Sequence, residues 1–471
     1  MTIRSTPMKR VLAGAGLTLA AALAAAAPGG QRGVSLVVVG GTVITEDARR
    51  SVISPGAVAI DGGAIVAVDR PDVIAAAYQG VETVEARDQI VLPGLINAHT
   101  HAPMVLYRGL ADDLALMEWL QTYIFPVEAK TVSPEFVRIG TRLAALEMIE
   151  SGTTAYADMY YFEEEIAEAT RAAGLRGVLG QTIIQFPVPD AKTPAEGLAR
   201  AERFIARFKG DRLITPAVAP HAIFTNDRAS LLACAALARR TGVPLLIHLA
   251  ETEDELRQSR AQHQLSPAAY LDSIGFWIPR TLAAHGVWMG ADDIAILKRH
   301  GVGVAHNPES NMKLASGASP IVEYQAAGVA VGLGTDGAAS NNDLDMFEAM
   351  RQASFLAKHT TRDPTAVPAR MALDMATIGG ARALGMEREI GSLEPGKRAD
   401  LIMVSTGSTR QVPMYEPISH LVYVTRGDDV RTTIVEGRIL MKDRQVRTLD
   451  RAAVIADANR IAQRIKELTR R

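Results

Sequence analysis

The stretch "PGLINAHTHAP" (Pro93–Pro103) places two histidines, His99 and His101, one residue apart at the end of an apolar run. Side chains two residues apart in an extended strand point to the same face, so two imidazoles placed in this way can bind one divalent ion. A single His-x-His pair is weak evidence for a metal, because such pairs also occur without one. The stretch is the first of a series of similar apolar segments.

Eight short apolar segments alternate with helical segments through the middle of the chain. In order, they read "LPGLINAHTH", "TTAYADMY", "LRGVLGQTI", "ITPAVAPHA", "VPLLIHLAE", "TLAAHGV", "GVGVAHNP" and "VAVGLGTDG". One intervening helix has clear limits, with Ser133 as N-cap, Pro134 at its first position and Gly152 after its end. Eight strand–helix units predict an α/β fold, a (β/α)8 TIM-like barrel. An open doubly wound sheet is the alternative, but no glycine-rich phosphate-binding fingerprint follows the first strand.

Both ends of the chain are rich in short strand patterns with Gly and Asp turns. The N-terminal side contains "VSLVVVGGTVIT" and "GAVAIDGGAIVAVD", and the C-terminal side contains "ADLIMVS", "LVYVTRG" and "DVRTTIVEGRIL". We therefore predict that residues 34–92 and 395–445 pair as one small β-sandwich domain beside a barrel of residues 93–394. Residues 450–471 are charged and helical in pattern, and they are predicted to form a C-terminal helix.

The composition excludes some functional classes. A chain of 471 residues with a net charge of −2 and no basic stripe with interleaved aromatic residues offers no nucleic-acid surface. The one cysteine, Cys234, lies in the apolar helical run "LLACAALA". Neither an intramolecular disulfide nor a thiolate metal cluster is therefore available. We expect a small-molecule substrate as the partner.

The N-terminus differs from the rest of the chain. Met8–Arg10 is basic, Val11–Ala27 is apolar and rich in Ala and Gly, and "PGGQRG" follows. This order is typical of a secretory signal peptide, which we predict over residues 1–27. The run is short and weakly apolar for a stable membrane anchor. The expected location is periplasmic or secreted, and the alternative is a cytoplasmic enzyme with an Ala-rich extension.

Candidate catalytic residues lie at the C-terminal ends of six of the eight predicted strands. Barrels of this class build their active sites at these ends. The chain has ten histidines, and most of them lie there. One buried histidine is common, but this distribution is difficult to obtain by chance, so it indicates a catalytic site. In strand order, the candidates are His99 and His101, then His221, His248 with Glu251, His285, His306 and Asp336.

His99, His101, His248 and Asp336 form a suitable set of metal ligands. Three imidazole nitrogens and one carboxylate suit one Zn²⁺ per subunit, and would also accept Fe²⁺ or Mn²⁺. A bound metal lowers the pKa of water towards neutrality, and Asp336 can take the water proton. Glu251 is predicted to carry a proton between the water and a leaving nitrogen. The alternative for Glu251 is a carboxylate placed favourably at a helix start. His306 is not assigned to the metal.

Several stretches of the chain resemble the amidohydrolase superfamily. Within it, the sequence is similar to aminohydrolases that deaminate 5'-methylthioadenosine, S-adenosylhomocysteine and related adenosines. The resemblance covers roughly Val34 to Leu440. The matching stretches are "PGLINAHTHAPMVLYRGLADDLALMEWL", "PVEAK", "EMIESGTTAYADMY", "APH", "IHLAETEDE", "HNPESNMKLASG", "LGTDGAASNNDLDMFEAMR" and "GSLEPGKRADLI".

The resemblance implies roles for residues that the strand pattern leaves unassigned. It implies zinc on the four ligands named above, Glu251 as acid and base, and His285 orienting the attacking hydroxide. It further implies that Glu128 holds ribose hydroxyls, that His221 contacts the substrate near the sugar, and that Trp119 forms an apolar wall. For Trp119 the alternative is a core aromatic residue. A homo-oligomer is also implied.

Two departures from the family bear on the prediction. Relatives with two metals carry a modified lysine at the end of the fourth strand, whereas this chain reads "APHAIFT", so we expect one metal. Relatives that act on S-adenosylhomocysteine carry arginines after the third strand, and here Gln181 stands where one is expected. The predicted function is therefore deamination of 5'-methylthioadenosine, 5'-deoxyadenosine or adenosine. The alternatives are an aminohydrolase or chlorohydrolase of a free base, pterin or triazine, and a non-catalytic binding barrel.

Overall fold

A computed structural model describes Thr2 and residues 30–469 of the chain. The predicted signal peptide, residues 1–27, lies outside the described residues apart from Thr2, so export stays a prediction. Within the described part of the chain, no helix combines the length and the apolar character needed to cross a membrane.

The strands account for both predicted architectural parts. In chain order they are β1 (Arg32–Ile44), β2 (Val52–Asp61), β3 (Ala64–Asp69), β4 (Tyr78–Glu85), β5 (Gln89–Pro93), β6 (Leu95–Thr100), β7 (Thr153–Tyr160), β8 (Arg176–Ile183), β9 (Ile214–Pro220), β10 (Leu245–Leu249), β11 (Thr281–His285), β12 (Gly303–His306), β13 (Val331–Leu333), β14 (Leu401–Ser405), β15 (Val430–Val435), β16 (Arg438–Lys442) and β17 (Gln445–Val446).

Most helices follow or connect these strands. The α-helices are α1 (Pro71–Ala77), α2 (Leu116–Glu118), α3 (Phe125–Thr131), α4 (Pro134–Ser151), α5 (Glu163–Ala173), α6 (Pro194–Phe208), α7 (Arg228–Thr241), α8 (Glu253–His263), α9 (Pro267–Ser273), α10 (Ala291–His300), α11 (Pro308–Lys313), α12 (Ile321–Ala327), α13 (Met346–Thr361), α14 (Ala369–Ala376), α15 (Ile378–Ala383), α16 (Pro417–Tyr423) and α17 (Arg451–Thr469). A π-helical segment, Trp119–Ile124, joins α2 to α3. Short 3₁₀ helices cover Ala102–Tyr107, Thr409–Gln411 and Gly427–Asp429.

Strands β6 to β13 form the barrel. They pair in sequence order, and each of these pairs is parallel. Hydrogen bonds join the first strand to the segment that follows the last one. The Asn97 side-chain amide donates to the Thr335 hydroxyl at 2.7 Å, and the Asp336 N–H donates to the His99 carbonyl at 2.9 Å. The predicted (β/α)8 fold is confirmed, and its strand C-termini meet at one end.

Helix α4 ends where the sequence predicts. The Ser133 hydroxyl accepts a hydrogen bond from the Phe136 N–H at 3.2 Å, and Pro134 occupies the first turn. Gly152 follows the helix with a φ of 88°, a left-handed conformation that glycine adopts without a side-chain penalty. These caps bring the chain directly into β7, one of the strands that carries the site.

The two chain ends meet in one mixed sheet. Strands β14 to β17 continue through β5 to β1, β2 and β3, and β4 pairs with β1, giving nine strands. The turn at Gly63 lies against the turn at Glu436, so the sheet curves and encloses an apolar cluster that includes Val58 and Met403. The prediction of a small β-structure built from both chain ends is confirmed, and its strands are joined into one sheet. The predicted domain limits stay predictions.

A buried ion pair joins the barrel to this sheet. Arg176, at the start of β8, bonds through Nε to Asp400 at 2.8 Å and through Nη2 to Glu436 at 2.7 Å. The side chains of Arg176 and Asp400 are each only 3% exposed. Loss of the arginine would therefore leave a buried carboxylate without its partner.

Replacing Arg176 by Ala is expected to lower the free energy of unfolding by about 3–5 kcal/mol, the usual cost of breaking a buried pair. Urea denaturation measures this value. The control is Arg240→Ala, which removes an exposed pair with Glu202 and should cost at most about 1 kcal/mol. Equal losses in the two variants would contradict a stabilising role for the buried pair.

Candidate metal centre and substrate cavity

Four side chains from three strand ends converge at the C-terminal end of the barrel. His99 lies near the end of β6, at the residue before Thr100, and His101 follows the strand; His248 lies in β10, and Asp336 follows β13. The Nε2 atoms of His99 and His101 lie 3.5 and 3.4 Å from Asp336 Oδ1. The Nε2 atoms of His101 and His248 are 3.3 Å apart. The structure thus brings together the four side chains predicted as metal ligands.

Their hydrogen bonding suits a metal. The Nδ1–H of His101 donates to the Met159 carbonyl at 2.6 Å, and the Nδ1–H of His248 donates to the His221 carbonyl at 2.8 Å. This tautomer leaves each Nε2 with a lone pair, and two lone pairs facing each other at 3.3 Å repel unless a cation lies between them. The buried Nε2 of His99 likewise has no hydrogen-bond partner. The donor set therefore fits a divalent ion.

The charge states of these groups agree with metal binding. Burial lowers the pKa of His99 to about 4 and also lowers the pKa of His101 and His248, so all three imidazoles stay neutral at pH 7. Burial alone would raise the pKa of Asp336. The nearby imidazoles of His99, His285 and His101 outweigh it and hold that pKa well below its usual range. Three neutral nitrogens thus face one carboxylate.

Asp336 is held by groups that the sequence pattern does not reveal. The hydroxyls of Ser310 and Ser340 donate to Oδ2 at 2.7 and 3.0 Å, and the Gly337 N–H donates to Oδ1 at 2.7 Å. Asp336 has a φ of 62°, a conformation that is uncommon outside glycine. The three donors fix the carboxylate in this unusual turn, with Oδ1 towards the histidines.

His285 and Glu251 lie beside the four ligands. The Nδ1 of His285 bonds to Asn311 Oδ1 at 2.9 Å, and its Nε2 is 3.7 Å from Glu251 Oε2. Burial would lower the pKa of His285, but the carboxylates of Glu251 and Asp336 raise it. Burial raises the pKa of Glu251 to about 7, against the effect of His285. A carboxyl group with a pKa near neutrality can both accept and donate a proton.

Glu128 and His221 lie on the wall of the same cavity. Glu128, on α3, accepts a hydrogen bond from the Tyr160 hydroxyl at 2.6 Å. Burial raises its pKa to about 7, while Tyr160 and Tyr161 act in the opposite direction. The Nδ1 of His221 bonds to Thr225 at 3.1 Å, and burial lowers the pKa of His221 to about 3, so its imidazole is neutral. Both side chains present polar groups suited to hydroxyl recognition.

The cavity above the four ligands and its opening to solvent together enclose about 610 Å³. Apart from buried His99, every predicted site residue lines it, including Trp119, which is 6% exposed. Much of the remaining wall is apolar. Its apolar residues include Met104, Leu116, Leu120, Ile124, Phe125, Met159, Phe224 and Leu314. His306 is buried and is not among the side chains that line the cavity, and burial lowers its pKa to about 3.

Gln181 does not face the cavity. Its side-chain amide donates to Asp190 at 2.8 Å and to the Thr182 carbonyl at 3.1 Å, and the side chain is fully buried. Neighbouring residues of a strand point to opposite faces, and here Thr182 lines the cavity. The expectation that position 181 meets the substrate is therefore wrong.

Sequence reasoning also missed the residues that hold the catalytic candidates. They are Tyr160 at Glu128, Asn311 at His285, Ser310 and Ser340 at Asp336, and Glu255 at the turn before Glu251. The only signal in the sequence is their position shortly after a strand end, which many loop residues share.

Comparisons with known proteins agree with this geometry. Residues 90–440 match the Amidohydrolase family. A 5-methylthioadenosine/S-adenosylhomocysteine deaminase of Syntrophobacter fumaroxidans is 48% identical over 437 residues, covering 93% of this chain and 100% of that protein. The 5-methylthioadenosine/S-adenosylhomocysteine deaminase 1 of Syntrophus aciditrophicus is 44% identical over 434 residues, which cover 92% of this chain and 98% of that protein. The crystal structure of an adenosine deaminase from Xanthomonas campestris with bound zinc has a TM-score of 0.91 and 39% identity, covering 93% of this chain and 100% of that one.

Proposed function

Because the chain belongs to the amidohydrolase family and is a hydrolase that acts on carbon–nitrogen bonds, we propose that it deaminates an adenosine-type nucleoside. The reaction replaces the amino group at C6 of the purine with oxygen from water and releases ammonia. One observation carries the proposal. Glu251 and three of the four converging ligands line one cavity with Glu128, a buried carboxyl group that can bind the sugar hydroxyls.

The proposed cofactor is one zinc ion held by His99, His101, His248 and Asp336. When bound, it supplies the Lewis acidity that makes water a nucleophile at neutral pH. The zinc bound in the Xanthomonas campestris structure supports this choice.

The chain's own side chains move the protons. Glu251 takes a proton from the attacking water and gives it to the purine ring as the C6–O bond forms. Asp336 then takes the remaining hydroxyl proton and passes it to the amino group, which leaves as ammonia when the C6–N bond breaks. His285, with Nε2 near Glu251, orients the attacking oxygen.

The composition of the cavity wall favours a nucleoside with a small or apolar 5' group as the substrate. Among the described residues that line it, none is Arg or Lys. Leu116, Trp119 and Phe125 provide apolar surface. The amino-acid carboxylate of S-adenosylhomocysteine would lose its water without gaining a cationic partner there. We therefore propose 5'-methylthioadenosine, 5'-deoxyadenosine or adenosine as substrates.

Ammonia release by purified, zinc-loaded protein tests this proposal. The panel contains adenosine, 5'-deoxyadenosine, 5'-methylthioadenosine, S-adenosylhomocysteine, adenine, guanine and a pterin. The proposal predicts turnover of the first three and little of S-adenosylhomocysteine. Turnover restricted to free bases or pterins would contradict the nucleoside assignment, and silence across the panel would contradict the deaminase itself.

Glu128 is expected to act on sugar hydroxyls. Replacing it by Gln should lower kcat/KM for adenosine by about 10- to 100-fold, the value of a hydrogen bond to a charged group. The variant should turn over 2',3'-dideoxyadenosine as well as the wild type does, because that substrate lacks both hydroxyls. Glu118→Gln, an exposed position before the π-helical segment, is the control. An equal loss on both substrates would contradict the sugar contact.

A further inference from the structure

The turn that carries Glu251 has a backbone conformation that needs support. Ala250, directly before it, is fully buried and has a φ of 48°. Alanine is unfavourable in this left-handed region, because its Cβ approaches the following carbonyl oxygen. Such a conformation persists only where the surroundings hold it. The direction of the Glu251 side chain depends on this turn.

The carboxyl group of Glu255 provides the support. Its Oε1 accepts a hydrogen bond from the Ala250 N–H and its Oε2 accepts one from the Glu251 N–H, both at 3.0 Å. Glu255 lies in the first turn of α8, whose N-cap is Thr252, so it connects the helix start to the turn. The ionised form has two acceptor oxygens, which matches the two N–H donors. Burial raises the pKa of Glu255 to about 7, and these two N–H groups oppose that change.

The peptide group between Ala250 and Glu251 also contacts the segment that follows His285. The Ala250 carbonyl accepts hydrogen bonds from the N–H groups of Val287 and Trp288 at 3.0 and 2.9 Å. These residues closely follow His285, whose φ is 73°. Both groups beside the reacting atoms, Glu251 and His285, are therefore attached to a turn that one carboxylate holds.

We propose that Glu255 is a positioning residue for proton transfer. It fixes the turn at Ala250 so that Glu251 and His285 face the substrate together. The catalytic half of this inference rests on the proposed function, whereas the structural half, the support of the turn, does not.

The chain offers a matched control at another helix. Helix α6 begins with Thr193 as N-cap, and Glu196 in its first turn accepts a hydrogen bond from the Lys192 N–H at 2.7 Å. Glu196 is exposed and does not line the cavity. Glu196→Gln makes the same chemical change at a capping residue without touching the site.

Kinetics of the zinc-loaded protein test the catalytic half. Glu255→Gln should lower kcat by about 10- to 100-fold, the cost of a small misplacement of a catalytic group, with KM and zinc content near wild type. Ala250→Gly should have little effect alone, because glycine adopts the turn without strain. For the same reason, adding it to Glu255→Gln should restore part of the lost kcat. An effect of Glu255→Gln no larger than that of Glu196→Gln, or a double variant no better than Glu255→Gln, would overturn the proposal.

Hydrogen–deuterium exchange tests the structural half without any activity. The amides of Ala250 and Glu251 should exchange faster in Glu255→Gln than in wild type or Glu196→Gln. Faster exchange in a protein that deaminates no nucleoside would leave the support of the turn intact and remove the proposed function. Unchanged exchange would show that Glu255 does not hold the turn, whatever the activity.

Discussion

Glu251→Gln is expected to lower kcat by about 10²- to 10⁴-fold, the usual contribution of general acid–base catalysis. The amide keeps the shape of the side chain but cannot transfer a proton. Glu251 is buried, lies 3.7 Å from His285 Nε2, and has a pKa raised to about 7 by burial, so the native group can serve as both acid and base. Steady-state kinetics on 5'-methylthioadenosine measure the loss.

The zinc content of this variant should stay near wild type, because Glu251 is not among the four ligands. Glu253→Gln, at the exposed first residue of α8, serves as the control and should leave kcat unchanged. Retention of most of the activity in Glu251→Gln would contradict its role in proton transfer. Loss of zinc together with activity would assign it to the metal instead.

His248→Ala is expected to remove both the metal and the activity. The imidazole is one of the three proposed nitrogen donors, and its Nδ1–H bond to the His221 carbonyl fixes its direction. Without it, metal content after dialysis should fall from about one zinc per chain to near none. Activity should fall by at least about 10³-fold, since a metal bound there would contribute several kcal/mol to the proposed reaction. Metal analysis and ammonia release measure the two effects.

His263→Ala provides the histidine control for this experiment. His263 stacks on Tyr270 with ring centres 3.8 Å apart and does not line the cavity. It should keep both zinc and activity. A His248→Ala protein that holds zinc as tightly as the His263→Ala protein would contradict the assignment of the metal ligands.

The barrel could be predicted from the sequence because its signal is local and repeated. Each of the eight segments is apolar, short and followed by a helical pattern, and the caps at Ser133 and Gly152 mark one helix to the residue. The family resemblance is confirmed by the match over residues 90–440. Candidate ligands could be identified because parallel strands bring their C-terminal ends together, wherever they lie in the sequence.

The contacts that hold the site could not be predicted in this way. Asp336 and His285 have left-handed backbones, so simple alternation along a strand does not give their directions. Their partners, Ser310 and Asn311, lie on a separate element, helix α11. At Gln181, by contrast, simple alternation does give the side-chain direction. It turns the side chain away from the cavity that the adjacent Thr182 lines. The equivalence of position 181 with an arginine in relatives does not reveal on which face of the strand its side chain lies.

The most direct test of the account is the origin of the oxygen in the product. Zinc-loaded protein turns over 5'-methylthioadenosine in water enriched in oxygen-18, and mass spectrometry analyses the purine product. The account predicts one labelled oxygen at C6 and one ammonia released for each product molecule. A product that keeps its amino group, such as free adenine from cleavage of the sugar bond, would contradict it.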